Sequence, residues 1–390
     1  MKKLCDKYAA KLAAQGLTAS NGPDAPLIGG LDAKLVWNRE DQRTKELEKL
    51  FDLLSINSLV FSRPAEPYRT ILDFLARRHP DTIRPEDTET RTFLHDIPIC
   101  HEFSAAAIAK GLKKRKAVIL PGQGIISCGT VSPEQGFVFY SSTIFSCFVL
   151  FFSDYLTQAR LGTLDPEYRE TFKLVASQLP TPRTVPPKLA QGPLDNDENV
   201  LAAMTEAGRQ VVGYGLVDSF FGNISFRLDD IVFISQTGSS LDELAGCIDA
   251  CPMDGSATTG LTASSELTAH EDVYRRSDYA CILHGHPKFS VIMSMDCARD
   301  QCPNRGQCHI KCTECRTVDG IPIVPGEVGT GPTGLCNTLP PAMASHGAAI
   351  VHGHGLFAAG ETDFSQAFSR LLDIENQCRE RYFKRVREYD

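Results

Sequence analysis

Two distant stretches of this chain run in the same register. Residues 117–137 read AVILPGQGIISCGTVSPEQGF and residues 348–368 read AAIVHGHGLFAAGETDFSQAF. Gly122, Gly124, Gly129 and Phe137 fall on Gly353, Gly355, Gly360 and Phe368 without a gap. Each copy reads as a strand, a glycine turn, a second strand and a helix beginning near the serine. Upstream, DIPI (96–99) matches GIPI (320–323), VFSRP (60–64) falls on LHGHP (283–287), and Phe51 falls on Tyr274. Near the starts, AAKLAAQGLTAS (9–20) resembles AGRQVVGYGLVDS (207–219), an amphipathic helix ending at Gly. Four blocks in one order, with a period too long for a solenoid, predict two homologous α/β domains. A length of 390 residues suits two cores. Pro180, Pro182, Pro186, Pro187 and Pro193 crowd the segment between the copies and favour an extended linker. The expected division is a first domain at 1–178, a linker at 179–194 and a second domain at 195–390.

The copies differ where chemistry is possible. Phe61 stands where the second copy has His284, Arg63 where it has His286, and Gln123 where it has His354. In a strand, i and i+2 share a face, so His284 and His286 project together from the end of an apolar run. A second apolar run ends in His352-Gly353-His354. Three neutral imidazoles drawn from two strand ends make a facial set for a divalent metal with an open position for substrate. Alternation leaves His352 and His354 as competitors for the third place. Glu266 and His270 lie four apart on a helical segment and share a face, which puts a carboxylate within reach of the set. A lone His at a strand end is ordinarily a satisfied surface or core residue. Two such motifs in one copy, both lost from the other, favour the metal reading.

The net charge of −8 argues against nucleic acid as a partner. The N-terminus starts basic, but Asp6, Lys7 and Lys11 interrupt any apolar run, so a helix is expected there and no signal peptide. The most apolar stretch, residues 137–156, carries Ser141, Ser142, Ser146 and Ser153 and fits a buried helix better than a membrane span. Fourteen Cys in a chain of this size without export signals are expected as thiols or metal ligands, which points to the cytoplasm.

The second half resembles the class II aldolase/adducin family, which includes fuculose-phosphate aldolase. The resemblance is carried by YGLVDSFFGNISFR (214–227), ISQTGSSLDEL (234–244), SSELTAHEDVYRR (264–276), ILHGHP (282–287) and VHGHGLFAAGETDFSQAF (351–368). It implies an α/β/α sandwich about a largely antiparallel sheet. It implies His284, His286 and His354 as ligands, so His354 is preferred to His352 on the family pattern. It implies a phosphate pocket at Asn223, Thr237, Gly238, Ser264 and Ser265, and Glu266 as the proton-transferring residue. The expected activity is metal-dependent cleavage or formation of a C–C bond in a ketose phosphate through an enediolate, with Zn2+ or else Mn2+, Fe2+ or Co2+. The 4-epimerases of the family tend to carry Asp at the Glu266 position, so Glu266 favours an aldolase. Decarboxylases and dehydratases share the metal set, and an adducin-like interaction module without catalysis is a further alternative. The family forms rings with sites between protomers, so a homo-oligomer is expected.

One segment departs from the family pattern. Cys297, Cys302, Cys308, Cys312 and Cys315 crowd a loop between the HGHP strand and the GIPI strand. A structural zinc or an iron–sulfur cluster is one reading, and a thiol-rich loop is the other.

Overall fold

The computed structural model describes residues 1–389 apart from 219, 313 and 328–330. The chain forms two compact units, Met1–Pro180 and Thr181–Asp390.

The first unit carries α1 (Lys2–Ala14), β1 (Leu27–Leu31), β2 (Leu35–Trp37), α2 (Thr44–Leu47), α3 (Lys49–Leu53), β3 (Ser58–Ser62) and α4 (Tyr68–Arg78). There follow β4 (Thr82–Ile83), α5 (Thr88–Leu94), β5 (Ile97–Pro98), α6 (Ala105–Leu112), β6 (Ala117–Leu120), β7 (Gly124–Gly129), α7 (Pro133–Leu161) and α8 (Pro166–Ser177). Its main sheet runs β2-β1-β3-β7-β6, antiparallel throughout. Alternation along the strands sends Leu27, Leu59, Phe61, Val118 and Ile126 to one face, where they pack on Leu47, Leu50, Ile108 and Leu112 of α2, α3 and α6. The opposite face meets α7 and α1. The apolar stretch 137–156 lies inside α7, and its most apolar window is 78% buried. Ser141, Ser142 and Thr143 direct their hydroxyls to carbonyls of the preceding turn, which makes their burial tolerable.

The second unit carries α9 (Asp197–Gly213), β8 (Asn223–Leu228), β9 (Ile231–Ser235), β10 (Ile248–Pro252), α10 (Leu267–Arg276), β11 (Cys281–Gly285) and α11 (Lys288–Met295). It continues with α12 (Cys308–Lys311), β12 (Arg316–Val318), β13 (Ile321–Val324), α13 (Leu335–His346), β14 (Ala348–Val351), β15 (Gly355–Gly360) and α14 (Phe364–Tyr389). The eight-stranded sheet runs β10-β9-β8-β11-β15-β14-β13-β12. Among the described strands of this sheet, only β13 and β14 pair in parallel. One face, with Val232, Ile234, Ile282, Ala349 and Phe357, packs on Val273 and Tyr274 of α10 and on Leu335, Leu339 and Met343 of α13. The other face meets α14, α9 and α11.

The first sheet's order recurs inside the second, reading β9-β8-β11-β15-β14. The register agrees as well. Phe61 faces Ile126 as His284 faces Phe357, and Leu27 faces Phe61 as Asn223 faces His284. A parallel bridge joins Ile99 to Ile119, as Ile323 pairs with Ile350.

The Pro-rich segment expected as a linker is bonded to the second unit from residue 183 onward. Asn376 Nδ2 donates to Arg183 O at 2.8 Å, Tyr214 Oη to Val185 O at 3.1 Å, and Gly192 N to Asp363 Oδ2 at 2.9 Å. Proline-rich backbone forms no ladder of its own, so its polar groups find partners on α9, α14 and the turn before α14.

Trp37, the single Trp, sits in the first unit and reports on it alone. Ile126 is fully buried between Phe61 and Val118. Ile126→Ala is expected to cost about 2–5 kcal/mol in urea unfolding followed by Trp37 fluorescence. A change under about 0.5 kcal/mol would remove Ile126 from the core of that unit.

Candidate metal and carboxylate site

The site grows from two glycine-terminated strand ends. β11 ends in His284-Gly285, and β14 gives way to the turn His352-Gly353-His354 before β15. The pairing of β11 with β15 carries His284 and His286 up to that turn. His286 Nε2 lies 3.1 Å from His284 Nε2, which lies 3.3 Å from His354 Nε2. The three ligand atoms all fall within 4.8 Å of one another, and all three residues are buried. Zn–N bonds of roughly 2.0–2.1 Å in tetrahedral array set donors about 3.3 Å apart. Two of the three separations match that spacing. Among the described residues, this is the one group of His, Cys, Asp or Glu placed to share an ion.

Gly355 keeps the space open. A Cβ there would lie 2.7 Å from His284 Cε1, 2.9 Å from His286 Cδ2 and 2.5 Å from Gly285 O. His284 Nδ1 lies 3.2 Å from Leu356 O. That bond requires Nδ1–H and turns the Nε2 lone pair toward the other two rings. The His284 ring also stacks on Phe357 at 3.8 Å. Burial, followed by the neighbouring imidazoles, holds the His284 pKa well below the usual range. His286 is lowered by burial and by His354. Neutral rings are the metal-binding form.

His352 does not join the set. Its Nδ1 is 3.0 Å from Ser294 O and 3.2 Å from Arg316 Nη1. The turn through Gly353, at φ +63°, sends the two flanking histidines to different neighbours. Strand alternation does not hold there.

Glu266 stands at the N-terminus of α10, buried, with Oε2 3.7 Å from His284 Nε2 and Oε1 3.6 Å from His354 Nε2. Asn223, expected at a phosphate, donates its Nδ2 to Glu266 Oε2 at 2.5 Å. The remaining pocket residues converge on the same end of α10. An isolated bridge joins Gln236 to Ala263, Thr237 Oγ1 donates to Ala263 O at 2.9 Å, and Glu266 N donates to Ser264 Oγ at 3.3 Å. Gly238 turns at φ +71° and Ser265 is exposed.

Behind Glu266, His270 is fully buried with Nδ1 2.7 Å from Ser225 Oγ, which is 2.6 Å from Tyr274 Oη. Burial pushes the His270 pKa down to about 3. Ser225 and Tyr274 were not among the expected residues. The signal for Ser225 lay in NISFR, where alternation puts Asn223 and Ser225 on one face.

Cys297, Cys302, Cys308, Cys312 and Cys315 are free thiols, and no three of them form a group placed to hold an ion. Cys308 and Cys312, at the two ends of the single turn of α12, share a helical face, and Cys297 lies close enough to Cys308 to help raise its pKa; Cys315 is exposed beyond them.

Residues 202–382 match the family model of the Class II Aldolase and Adducin N-terminal domain. The match takes in every residue of the site and leaves the first unit outside it. Among solved structures, this chain is similar to L-fuculose-1-phosphate aldolase from Thermus thermophilus, at 22% identity over 48% of this chain and 95% of that one, TM-score 0.39. It is also similar to a sugar-phosphate aldolase from Thermotoga maritima, at 18% identity over 48% and 94%, TM-score 0.35. A third is the L-fuculose 1-phosphate aldolase from Glaciozyma antarctica, at 16% identity over 51% and 78%, TM-score 0.35. No curated protein matches the chain.

Two outcomes follow. Gly355→Ala is expected to weaken binding of Zn2+ or Co2+ by about 10-fold or more, measured by calorimetric titration; unchanged affinity would mean the site has slack. The depressed histidines of the second unit also set an acid limit. Their folded pKa values lie below the unfolded value, so the unfolded chain binds more protons once the pH falls below about 6.5. Stability of the metal-free protein should fall by up to about 1.4 kcal/mol per pH unit per histidine, for His270 between pH 6.5 and about 3. Urea unfolding followed by circular dichroism at stepped pH measures this, and His270→Leu should flatten the slope.

Proposed function

We propose that the second unit is a divalent-metal-dependent class II aldolase that cleaves or forms a carbon–carbon bond in a phosphorylated ketose or similar hydroxy-carbonyl compound. The observation that carries this reading is the meeting of the His284, His286 and His354 Nε2 atoms beside the buried Glu266 carboxylate. The donor set fits zinc, with Mn2+, Fe2+ and Co2+ as alternatives. The bound ion supplies Lewis acidity for a carbonyl oxygen.

The chain's own residues do the rest. Glu266 moves a proton to and from the carbon that carries the charge when the bond breaks. Asn223 fixes the orientation of that carboxylate through Oε2. The N-terminus of α10, with Ser264, Ser265 and the Thr237–Gly238 turn, receives the substrate's phosphate, because helix-end N–H groups and hydroxyls both favour an anion. Burial of the site excludes water from the reacting carbons.

In the same reading, the first unit is a tandem copy that has lost the site. The shared strand order, the shared register and the replacement of the ligands by Phe61, Arg63 and Gln123 support it. The protein is taken to be cytoplasmic and homo-oligomeric.

His284→Ala, His286→Ala and His354→Ala should each purify with little bound metal by elemental analysis. Glu266→Gln should keep its metal and lose about 10²–10⁴-fold in kcat against a panel of ketose phosphates, read as release of a three-carbon phosphate. Full metal loading in the histidine variants would sink the site. A metal-free wild-type protein without turnover would favour the interaction-module alternative.

A further inference from the structure

Two fully buried polar atoms beside the site have no partner, and they are complementary. One is Asn223 Oδ1 and the other is His270 Nε2. Asn223 Nδ2 donates to Glu266, so Oδ1 is a fixed acceptor. The state of His270 follows from its other nitrogen. Ser225 Oγ lies within hydrogen-bond distance of both Tyr274 Oη and His270 Nδ1. The arrangement in which both the tyrosine and the serine proton find an acceptor has Tyr274 donating to Ser225 and Ser225 donating to Nδ1. With an Nδ1–H tautomer one hydroxyl proton of the pair would lack an acceptor in the core. With Nδ1 accepting, neutral His270 carries its proton on Nε2, and that N–H is a donor without an acceptor.

The two atoms occupy neighbouring steps of one interface. Asn223 and Ser225 alternate on the face of β8 that meets α10, and Glu266 and His270 are one helical turn apart on α10. Buried unpaired donors and acceptors of this kind are satisfied by an internal water when two or more polar partners surround it.

We propose that His270 is a positioning residue for Glu266 and acts through one buried water that accepts from His270 Nε2–H and donates to Asn223 Oδ1. The chain then runs Tyr274, Ser225, His270, water, Asn223, Glu266, with every member donating toward the carboxylate. Hydrogen bonds aligned in one direction polarise one another, and this line ends on the one group that needs negative charge and a fixed orientation. Its role at the site rests on the reading of Glu266 as the base.

A second observation separates this chain from ordinary core packing. By strand register, Leu27 and Gly29 of the first unit stand where Asn223 and Ser225 stand in the second. The α2–α3 segment puts Arg43, Leu47 and Phe51 at the places of Glu266, His270 and Tyr274, in the frame that sets Phe51 on Tyr274. Leu27 and Leu47 there are ordinary core residues. Arg43 lies over the Phe61 ring at 4.9 Å and is paired to Asp41. The unit without the three histidines lacks every polar member of the line, so the fold does not require it.

The test uses the metal-free full chain. A crystal structure resolving internal waters should show one within hydrogen-bond distance of both His270 Nε2 and Asn223 Oδ1. Nitrogen-15 NMR should find His270 as the Nε2–H tautomer with slow proton exchange. His270→Leu, which copies the first unit, should lose the water and leave the Glu266 carboxylate in more than one orientation, with zinc affinity within about threefold of wild type. An Nδ1–H tautomer, no water at that point, or an unmoved Glu266 in the variant overturns the proposal. Should His270→Leu fail to fold, the two wild-type measurements still decide. None of these readouts needs an aldolase substrate, so failure of the aldolase reading is seen separately, in the ketose-phosphate panel.

Discussion

The antiparallel pairing of β11 with β15 is the constraint on which the second unit depends. His284 faces Phe357 across that ladder, and Gly285 faces Leu356. A slip of one residue would turn His284 to the other face of the sheet and send a core residue to the site. The apolar neighbours hold the register: Ile282 pairs with Ala359 on the α10 side, and Leu283 with Ala358 on the other. Packing therefore places the imidazoles.

Burial then fixes their chemistry. Three imidazoles within a few ångströms cannot all be charged in a dry site, so desolvation and mutual repulsion keep the lowered members neutral. The same desolvation makes any unmatched polar atom nearby expensive, which is why the partners of Glu266 and His270 can be traced so closely. Glycine supplies the space. A side chain at Gly355 would collide with two of the rings, and one at Gly222 would meet the carbonyl of His284 at 2.4 Å.

The first unit has a sheet of the same strand order and register without the polar set. Its counterpart positions are filled by Phe61, Leu27 and Leu47, which close into a continuous apolar cluster. Arg39 and Arg43 both bond Asp41 and carbonyls of the 23–26 segment. Guanidinium groups satisfied by backbone oxygens hold that loop in place.

Periodicity and internal matching were enough to read two α/β halves, the strand ends that lead to His284 and to the His352-Gly353-His354 turn, and the nearness of Glu266. Those features are local or repeat in register, so the linear chain carries them. Three things needed the tertiary structure. The family pattern already preferred His354, but the physical reason that His352 points elsewhere is the left-handed Gly353, which breaks the alternation of a strand. The pairing of Asn223 with Glu266, and not with a ligand, depended on how β8 meets α10. The placement of the loop cysteines, with Cys308 and Cys312 on one short helix and Cys297 beside Cys308, followed from turns with no repeating spacing. Sequence sets which groups are available and which face of an element they share. Only packing decides which of them meet, because contacts between distant segments are fixed by burial and register, and neither is written in local order.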